Sequence, residues 1–362
     1  MVMEQHGPSD EVWVLGATGR SGRAVAERLA AATDVAPVLV GRNGARLDEV
    51  ATAIGAGIRT VAADSVDAMA ALIEHERPTV VINTIGPFTE TALPIARAGL
   101  SGSHYVDLAN DLESLFGLLG LHDAAVAAGR TLVTGAGFGV LATESVVMTL
   151  CEGRPIPSHV RVDALPSVDT ETGVVGEALA ATILDGLPAG GRRYEQGKLV
   201  RARLGGEVQH LTLPDGTAVT TSSVPTGDLH AAWIASGAPS VTAGSGLLPA
   251  TSTVRAVLPI ASAALSIGPL RALATRMLAR TRTSSRPRDR EHSYGHARIT
   301  WPDGTSREGW LRAGEAMDFT ASVLAEVATR LARGGQRPGA YTPAAVFGPG
   351  LATAAGGDFI ID

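Results

Sequence analysis

The stretch Val12-Trp13-Val14-Leu15-Gly16-Ala17-Thr18-Gly19-Arg20-Ser21-Gly22 decides how the chain is read. Four consecutive apolar residues form a short strand of the kind a parallel sheet buries on both faces. A glycine turn follows, and residues 23–30 (Arg-Ala-Val-Ala-Glu-Arg-Leu-Ala) carry apolar side chains at helical spacing. Strand, glycine turn and helix together hold a dinucleotide pyrophosphate on backbone N–H groups. Gly16 permits the tight turn, Gly19 lets the backbone approach a phosphate, and Gly22 lets the helix lie close to the strand. The spacing is G-x-x-G-x-x-G, and Ala17, Thr18, Arg20 and Ser21 complete the expected cradle.

The second strand, 37–40, ends in Gly41-Arg42-Asn43 with no carboxylate at its tip. An acid there would hold the ribose 2′-hydroxyl of NAD, whereas an arginine suits the extra phosphate of NADP. Arg42 therefore points to NADP(H), with Arg20 as a second group for the same phosphate. Strand 59–63 ends at Asp64, placed to face the adenine amino group, to cap the helix 65–76, or to do both. Strand 79–84 runs into Ile85-Gly86-Pro87-Phe88, so Thr84, Gly86, Pro87 and Phe88 are the expected wall beside the nicotinamide ribose. Strands 104–108 and 130–134 follow. Six strands alternating with helices predict a Rossmann-type doubly wound parallel sheet.

Composition changes around Arg154-Pro155-Ile156-Pro157. Residues 1–152 plus 315–362 are expected to form the dinucleotide-binding domain. Residues 153–314 are expected to form an α+β domain with a mostly antiparallel sheet, carrying substrate and dimer contacts. The pentapeptides Leu213-Pro-Asp-Gly-Thr217 and Trp301-Pro-Asp-Gly-Thr305 predict two antiparallel hairpins. Residues 173–184 read as a helix, and the apolar tail Phe359-Ile-Ile361 is expected to pack on the first domain. The apolar stretch 256–270 is too short and too broken by Pro259, Gly268 and Pro269 to span a membrane, and reads as core or interface, with a lining for a long apolar substrate or a membrane-surface contact as the alternatives. Seven arginines from Arg271 to Arg290 read as a solvated linker, or as a dock for an acyl carrier protein or a coenzyme A arm.

The 362 residues carry a net charge of −6, a single cysteine, Cys151, and a single lysine, Lys198. That excludes nucleic-acid-binding character for the whole molecule, a disulfide framework and a cysteine-rich zinc site. No His/Cys/carboxylate cluster has metal-ligand spacing, so no metal is expected. The first ten residues have no basic start and no apolar run, so a cytoplasmic protein is expected.

A proton donor is expected near the C-terminal ends of strands four to six, where His104, Tyr105, Asp107 and Asn110 lie. Tyr105 and Asp107 share one face by strand alternation and are the candidates for catalytic acid or orienter. The alternative is a core aromatic and a loop cap. His210 and His230 stand in reserve. Tyr194-Glu-Gln-Gly-Lys198 matches the Tyr-x-x-x-Lys pattern of short-chain dehydrogenases, but Gly197 interrupts it, and a loop or edge strand fits better than a helix.

In order along the chain, Gly16-Ala-Thr-Gly-Arg-Ser-Gly22, Val40-Gly-Arg42, Asn83-Thr-Ile-Gly-Pro-Phe88, Tyr105-Val-Asp-Leu108 and Gly135-Ala-Gly-Phe138 resemble the saccharopine dehydrogenase-like reductase family, closest to its bacterial trans-acting enoyl reductase branch. Tyr341-Thr-Pro-Ala344 and Phe347-Gly348 resemble it too. The resemblance implies a nucleotide domain rebuilt from both chain ends, a middle substrate domain, NADP-linked reduction and a homodimer. One segment departs. Several family members read Gly-Phe-Asp-Ser-x-Pro-Ser-Asp after the sixth strand, where this chain reads Gly137-Phe-Gly-Val-Leu-Ala-Thr-Glu144. The expected function is NADPH-dependent reduction of a conjugated C=C bond in an acyl or polyketide-like intermediate, which the apolar stretch 256–270 favours. The alternatives are a C=N or amino-acid-type oxidoreductase, which would set Arg161, Arg192 or Arg193 on a carboxylate, and a non-catalytic NADP-binding protein.

Overall fold

The computed structural model describes residues 9–32, 35–168, 190–247 and 290–361, together with the helical residues 270, 273, 274, 276 and 277. The helix expected at 173–184, the apolar stretch 256–270 and most of the arginine-rich run lie outside the described residues, apart from Leu270, Arg276 and Arg290. The chain divides into two compact units. One comprises Met1–Ala109, Glu113–Gly137 and Thr320–Val346, and the other Asn110–Leu112, Phe138–Phe319 and Phe347–Asp362.

The first unit alternates strand and helix: β1 (Ser9–Leu15), α1 (Arg20–Ala31), β2 (Ala36–Gly41), α2 (Gly44–Ile54), β3 (Arg59–Ala62), α3 (Val66–Glu76), β4 (Pro78–Asn83), α4 (Phe88–Gly99), β5 (His104–Asp107), α5 (Leu112–Leu119, its first residue in the other unit), α6 (His122–Ala128) and β6 (Thr131–Val133). A late strand, β15 (Gly339–Tyr341), joins beside β6. The sheet order is β15-β6-β5-β4-β1-β2-β3, with every pair parallel. The order reverses between β1 and β4, and ligands of such sheets bind at that switch point. Trp13, Leu15, Val38, Val81 and Tyr105 pack with Ile73, Ile95 and Leu118 from the helices, all buried. Each large apolar side chain so enclosed contributes about 1.5–3 kcal/mol. The doubly wound sheet expected from the alternation is the one found, with β15 as a seventh strand.

The second unit opens with α7 (Phe138–Cys151). It continues through β7 (His159–Leu165), β8 (Gly191–Glu195), β9 (Lys198–Ala202), β10 (Gln209–Thr212), β11 (Ala218–Ser223), α8 (Gly227–Ser236), β12 (Ser240–Ser245), β13 (Ser293–Thr300) and β14 (Ser306–Ala313). Helix α9 (Ala316–Arg333), the short helices α10 (Pro343–Phe347) and α11 (Gly350–Ala354) and strand β16 (Asp358–Ile361) complete the chain. The sheet runs β10-β11-β12-β7-β13-β14-β16, with β8 on β12 and β9 on β8. The β12–β7 pair is parallel and the others are antiparallel. Both expected hairpins form with the same chemistry. Leu213 N donates to Thr217 O and Trp301 N to Thr305 O, each at 2.9 Å. Asp215 and Asp303 accept the backbone N–H two residues on, while Gly216 and Gly304 take φ of 87° and 85°.

Two expected boundaries are corrected. Residues 138–151 belong to the second unit, because α7 lies on its sheet rather than ending the first domain. Gly295 and Gly309 make room for that helix: a Cβ on Gly295 would stand 2.6 Å from Ala142 Cβ, and one on Gly309 3.3 Å from Val146 Cγ1. The tail does not pack on the first sheet. As β16 it pairs with β14, Ile360 opposite Trp310, and satisfies the backbone groups of what would otherwise be an open edge.

Strands β7, β13 and β14 place a charged network inside this unit. Arg161 Nη2 and Nε bond Asp163 at 2.8 and 3.0 Å. Asp163 Oδ2 meets His296 Nδ1 at 3.2 Å, and His296 Nε2 meets Glu308 Oε1 at 3.0 Å. Burial pulls the His296 pKa down, but hydrogen bonds to Asp163 and Glu308 outweigh it and the net shift is upward. The hydrogen bond from His296, helped by Arg298, holds Glu308 down to about 2. The His296 contribution to stability is therefore full below its ordinary value of 6.5 and is lost as pH rises through the raised value. The Glu308 contribution is full above 4.5 and is lost as pH falls toward about 2. Thermal unfolding followed against pH is expected to show the midpoint falling on the alkaline side of 6.5, and a smaller fall in His296→Gln. Equal alkaline falls in the two proteins would show that this network does not set the pH dependence.

Candidate nucleotide-binding site

The glycine turn is built by close contact. Gly16 takes φ +79°, and a Cβ there would stand 2.7 Å from Thr84 Oγ1. Thr84 Oγ1 donates to Leu15 O at 2.7 Å, tying β4 to β1 at the switch point. A Cβ on Gly22 would run into Gly16 O and lie 2.9 Å from Ala17 Cα, so α1 seats directly on the turn. Gly19 N donates to Gly16 O at 2.9 Å, and Gly19 is the N-cap of α1. No side chain caps that helix and no acid lies in its first turn. Helix N-termini carry unsatisfied N–H groups and a partial positive charge. Ala17 is buried, Thr18 and Ser21 are half-buried, and Gly19 and Arg20 are exposed. Gly86 is exposed, and Pro87 and Phe88 are half-buried where α4 begins. The cradle fits an anionic diphosphate: a sealed glycine floor under an uncapped helix start.

Beyond the tips of β2 and β3 lies a depression of about 530 Å³ lined by Arg42, Ala62, Ala63, Asp64, Ala68, Ala71 and Leu72. Arg42 and Asp64, both exposed, thus share one hollow with a floor of alanines and a leucine. The helix caps nearby are made by their neighbours. Asn43 accepts Arg46 N at 3.1 Å to cap α2, and Ser65 Oγ accepts Ala68 N at 3.2 Å to cap α3. The cap considered for Asp64 is therefore made by Ser65, and Asp64 is among the residues that line the hollow. Sequence reading missed Asn43 and Ser65, although both occupy ordinary N-cap positions.

Tyr105 and Asp107 do share one face, and both are completely buried. Tyr105 Oη donates to Asp107 Oδ2 at 2.9 Å and accepts from Asn83 Nδ2 at 3.2 Å. Asp107 Oδ1 accepts from Ala109 N, Thr134 Oγ1 and Gly135 N at 3.0, 2.8 and 3.1 Å. Burial raises the Asp107 carboxyl to about 6, opposed by these four donors, and drives the Tyr105 hydroxyl well above its usual range. The network ties β4, β5 and the chain after β6, and every Asp107 oxygen is engaged.

His104 and the two reserve histidines have other partners. His104 Nδ1 accepts Thr131 N at 3.0 Å, and burial lowers its pKa to about 4. His230 meets Tyr194 Oη at 2.6 Å, and burial lowers it to about 4 as well. His210 pairs with Thr220 on an exposed hairpin. Tyr194 stacks on Trp233 at 4.8 Å, while Lys198 begins the next strand of the β8–β9 hairpin, so the two share no helix face. Among the described residues no group of three His, Cys, Asp or Glu side chains could hold a metal, and no helix is long and apolar enough to cross a membrane.

Residues 12–133 match the saccharopine dehydrogenase NADP binding domain family. A trans-acting enoyl reductase of Mycobacterium leprae is 31% identical over 134 residues, covering 35% of this chain and 32% of that protein. One from Mycobacterium tuberculosis is 30% identical over 146 residues, covering 39% and 35%. The chain thus spans about a third of the length of the curated relatives it matches. The apo structure of saccharopine dehydrogenase (L-Glu forming) from Saccharomyces cerevisiae superposes with a TM-score of 0.64 at 14% identity, over 98% of this chain and 100% of that one. At that identity the likeness shows a shared fold: a parallel nucleotide-type sheet and a mixed, mostly antiparallel second sheet.

Proposed function

We propose that this chain, which resembles the saccharopine dehydrogenase-like reductases through residues 12–133, is an NADPH-dependent reductase of a conjugated C=C bond in an acyl or polyketide-like substrate. The shared hollow of Arg42 and Asp64, beyond a glycine turn and an uncapped α1, is the observation that carries it. Bound NADPH would supply the hydride. In this reading the N–H groups of α1 hold the pyrophosphate, with Thr18 and Ser21 around it, and Arg20 is a second group for the 2′-phosphate. Arg42 pairs with the 2′-phosphate and Asp64 accepts from the adenine amino group. Thr84, Gly86, Pro87 and Phe88 border the nicotinamide ribose. Tyr105 and Asp107 act as positioning residues that hold the strand ends, since neither reaches solvent.

Two of the three arginines considered for an amino-acid substrate are paired with carboxylates. Arg161 is buried on Asp163, Arg193 pairs with Glu195 and Glu207, and Arg192 Nη1 donates to Gly191 O. That supports C=C over C=N chemistry, as does the enoyl reductase name of the curated relatives. In the same reading the enzyme is a cytoplasmic homodimer, and its substrate arrives on an acyl carrier protein or coenzyme A.

The test is a titration with NADPH and with NADH, followed by nicotinamide fluorescence, in wild type and Arg42→Ala. Wild type is expected to prefer NADPH, and Arg42→Ala to lose about 10- to 100-fold in NADPH affinity while NADH affinity stays put, the weight of a charged hydrogen-bonded pair. Folded protein that binds neither nucleotide would overturn the reading.

A further inference from the structure

The loop between β4 and α4 is held at one residue by two buried side chains that have no part in the proposed nucleotide contacts. Asn83, the last residue of β4, is 0% exposed, and Thr91, in the first turn of α4, is 4% exposed. Ile85 lies between them in the chain. Its N–H donates to Asn83 Oδ1 at 3.0 Å, and its carbonyl accepts from Thr91 Oγ1 at 2.5 Å. Asn83 Nδ2 donates to Thr91 Oγ1 and to Tyr105 Oη, each at 3.2 Å. Both backbone polar groups of Ile85 are thus fixed, one from the strand that precedes the loop and one from the helix that follows it.

With Asp107 ionised, the protons of this network run one way only. The carboxylate accepts from Tyr105 Oη, so the Tyr105 oxygen is left to accept from Asn83 Nδ2. That sets the Asn83 amide with its Oδ1 toward Ile85 N. The single hydroxyl proton of Thr91 goes to Ile85 O, so the Thr91 oxygen in turn accepts from Asn83. None of the three side chains can turn without stranding a buried polar group, which is costly in a site closed to water. An order that begins at Asp107 therefore ends at the backbone of a loop.

Thr84 and Gly86, on either side of Ile85, are proposed above to border the nicotinamide ribose. Thr84 N and Oγ1 both donate to Leu15 O, at 3.1 and 2.7 Å. The Ile85 side chain lies over the glycine turn, where a Cβ on Gly16 would stand 3.1 Å from Ile85 Cγ1. Gly86 is exposed, and among the described residues its N–H makes no hydrogen bond. We propose that Asn83 and Thr91 are positioning residues for the nicotinamide end of the nucleotide, holding Ile85 so that the Gly86 N–H is presented to that end; this rests on the nucleotide-binding reading. Both side chains are closed to solvent, so they act through the loop rather than by touching the ligand. Arg42 and Asp64 serve the adenosine end, so a change at Thr91 is felt at one end only.

The test titrates full-length wild type, Thr91→Val, Thr91→Ala and Thr91→Ser with two probes. One is NADPH, followed by nicotinamide fluorescence. The other is adenosine 2′,5′-bisphosphate, followed by calorimetry, which keeps the adenine and the 2′-phosphate but has no nicotinamide. Thr91→Val removes the hydroxyl at nearly constant volume and is expected to weaken NADPH about tenfold, with the bisphosphate within about twofold of wild type. Thr91→Ser restores the hydroxyl and is expected to bind NADPH close to wild type. Equal weakening of both probes in Thr91→Val overturns the inference, because a merely structural threonine would act on both ends alike. Unchanged NADPH affinity in Thr91→Val, or Thr91→Ser as weak as Thr91→Val, overturns it too. If Thr91→Val does not fold, Thr91→Ala, which cannot overpack the site, reads the same ratio, and failure of both to fold makes Thr91 structural and overturns the inference. Wild type that binds neither probe overturns the nucleotide-binding reading itself and the inference with it, whereas wild type that binds both leaves the ratio in the variants to decide.

Discussion

Gly22→Ala is expected to lose both stability and NADPH binding, whereas Gly19→Ala loses binding alone. Gly22 lies in the first turn of α1, where alanine is favoured over glycine by about 1 kcal/mol on helix propensity. Against that, its Cβ would collide with Gly16 O and stand 2.9 Å from Ala17 Cα, both backbone atoms that cannot swing aside. Overpacking of this kind costs about 1–3 kcal/mol, so the clash prevails and α1 is pushed off the turn. Gly19 is different. Its Cβ would lie 3.3 Å from Gly16 O at an exposed cap of extended conformation, and the change of stability is expected within about 0.5 kcal/mol. In the proposed reading a methyl group there stands where a phosphate approaches. Urea unfolding and NADPH titration on the two variants read the prediction. A Gly22→Ala protein with wild-type stability and affinity would mean that α1 does not depend on the close seat.

Asp107→Ala is expected to be the most destabilising single substitution in the first unit, at about 3–5 kcal/mol. The aspartate accepts from two hydroxyls and two backbone N–H groups in a site closed to water. The hydroxyls of Tyr105 and Thr134 can turn to other acceptors, but the N–H groups of Ala109 and Gly135 cannot. Each stranded donor costs about 1–3 kcal/mol, a large part of a typical reserve of about 5–15 kcal/mol. Asp107→Asn keeps an acceptor for both N–H groups and is expected to lose about 1–2 kcal/mol. The two proteins also differ in pH dependence. Because burial lifts the Asp107 carboxyl to about 6, the folded state holds its proton longer than the unfolded chain, so this group's contribution falls as pH rises from 3.8 to about 6 and is flat above. Asp107→Asn should lack that fall. Similar losses in the two variants, or an unchanged pH profile in Asp107→Asn, would show that the carboxyl is not the hub of this network.

Much of the nucleotide half was legible because its signals are local. Gly16, Gly19 and Gly22 act on a turn and helix within a few residues of themselves. Both Pro-Asp-Gly hairpins were legible for the same reason, since each aspartate bonds the N–H two residues on. The cap of α3 was not, because a carboxylate and a serine side by side are both good caps, and only the observed bond from Ala68 N to Ser65 shows which of them makes it. Tyr105 and Asp107 could be placed on one face by alternation, but whether that face meets solvent or a second layer is not a property of the strand.

What the sequence determined by itself, then, is the β1 turn, the strand–helix alternation that makes a doubly wound sheet, and the two hairpins, all set by neighbours in the chain. What only the tertiary structure decided is where distant segments meet. His296 and Asp163, 133 residues apart, pair because β13 lies beside β7. Helix α7 joins the second sheet because Gly295 and Gly309 leave it room, and the tail closes the edge of β14. The physical reason is common to all three. Packing and buried hydrogen bonding depend on which surfaces meet, and a chain records its neighbours in order but not the partners it acquires on folding.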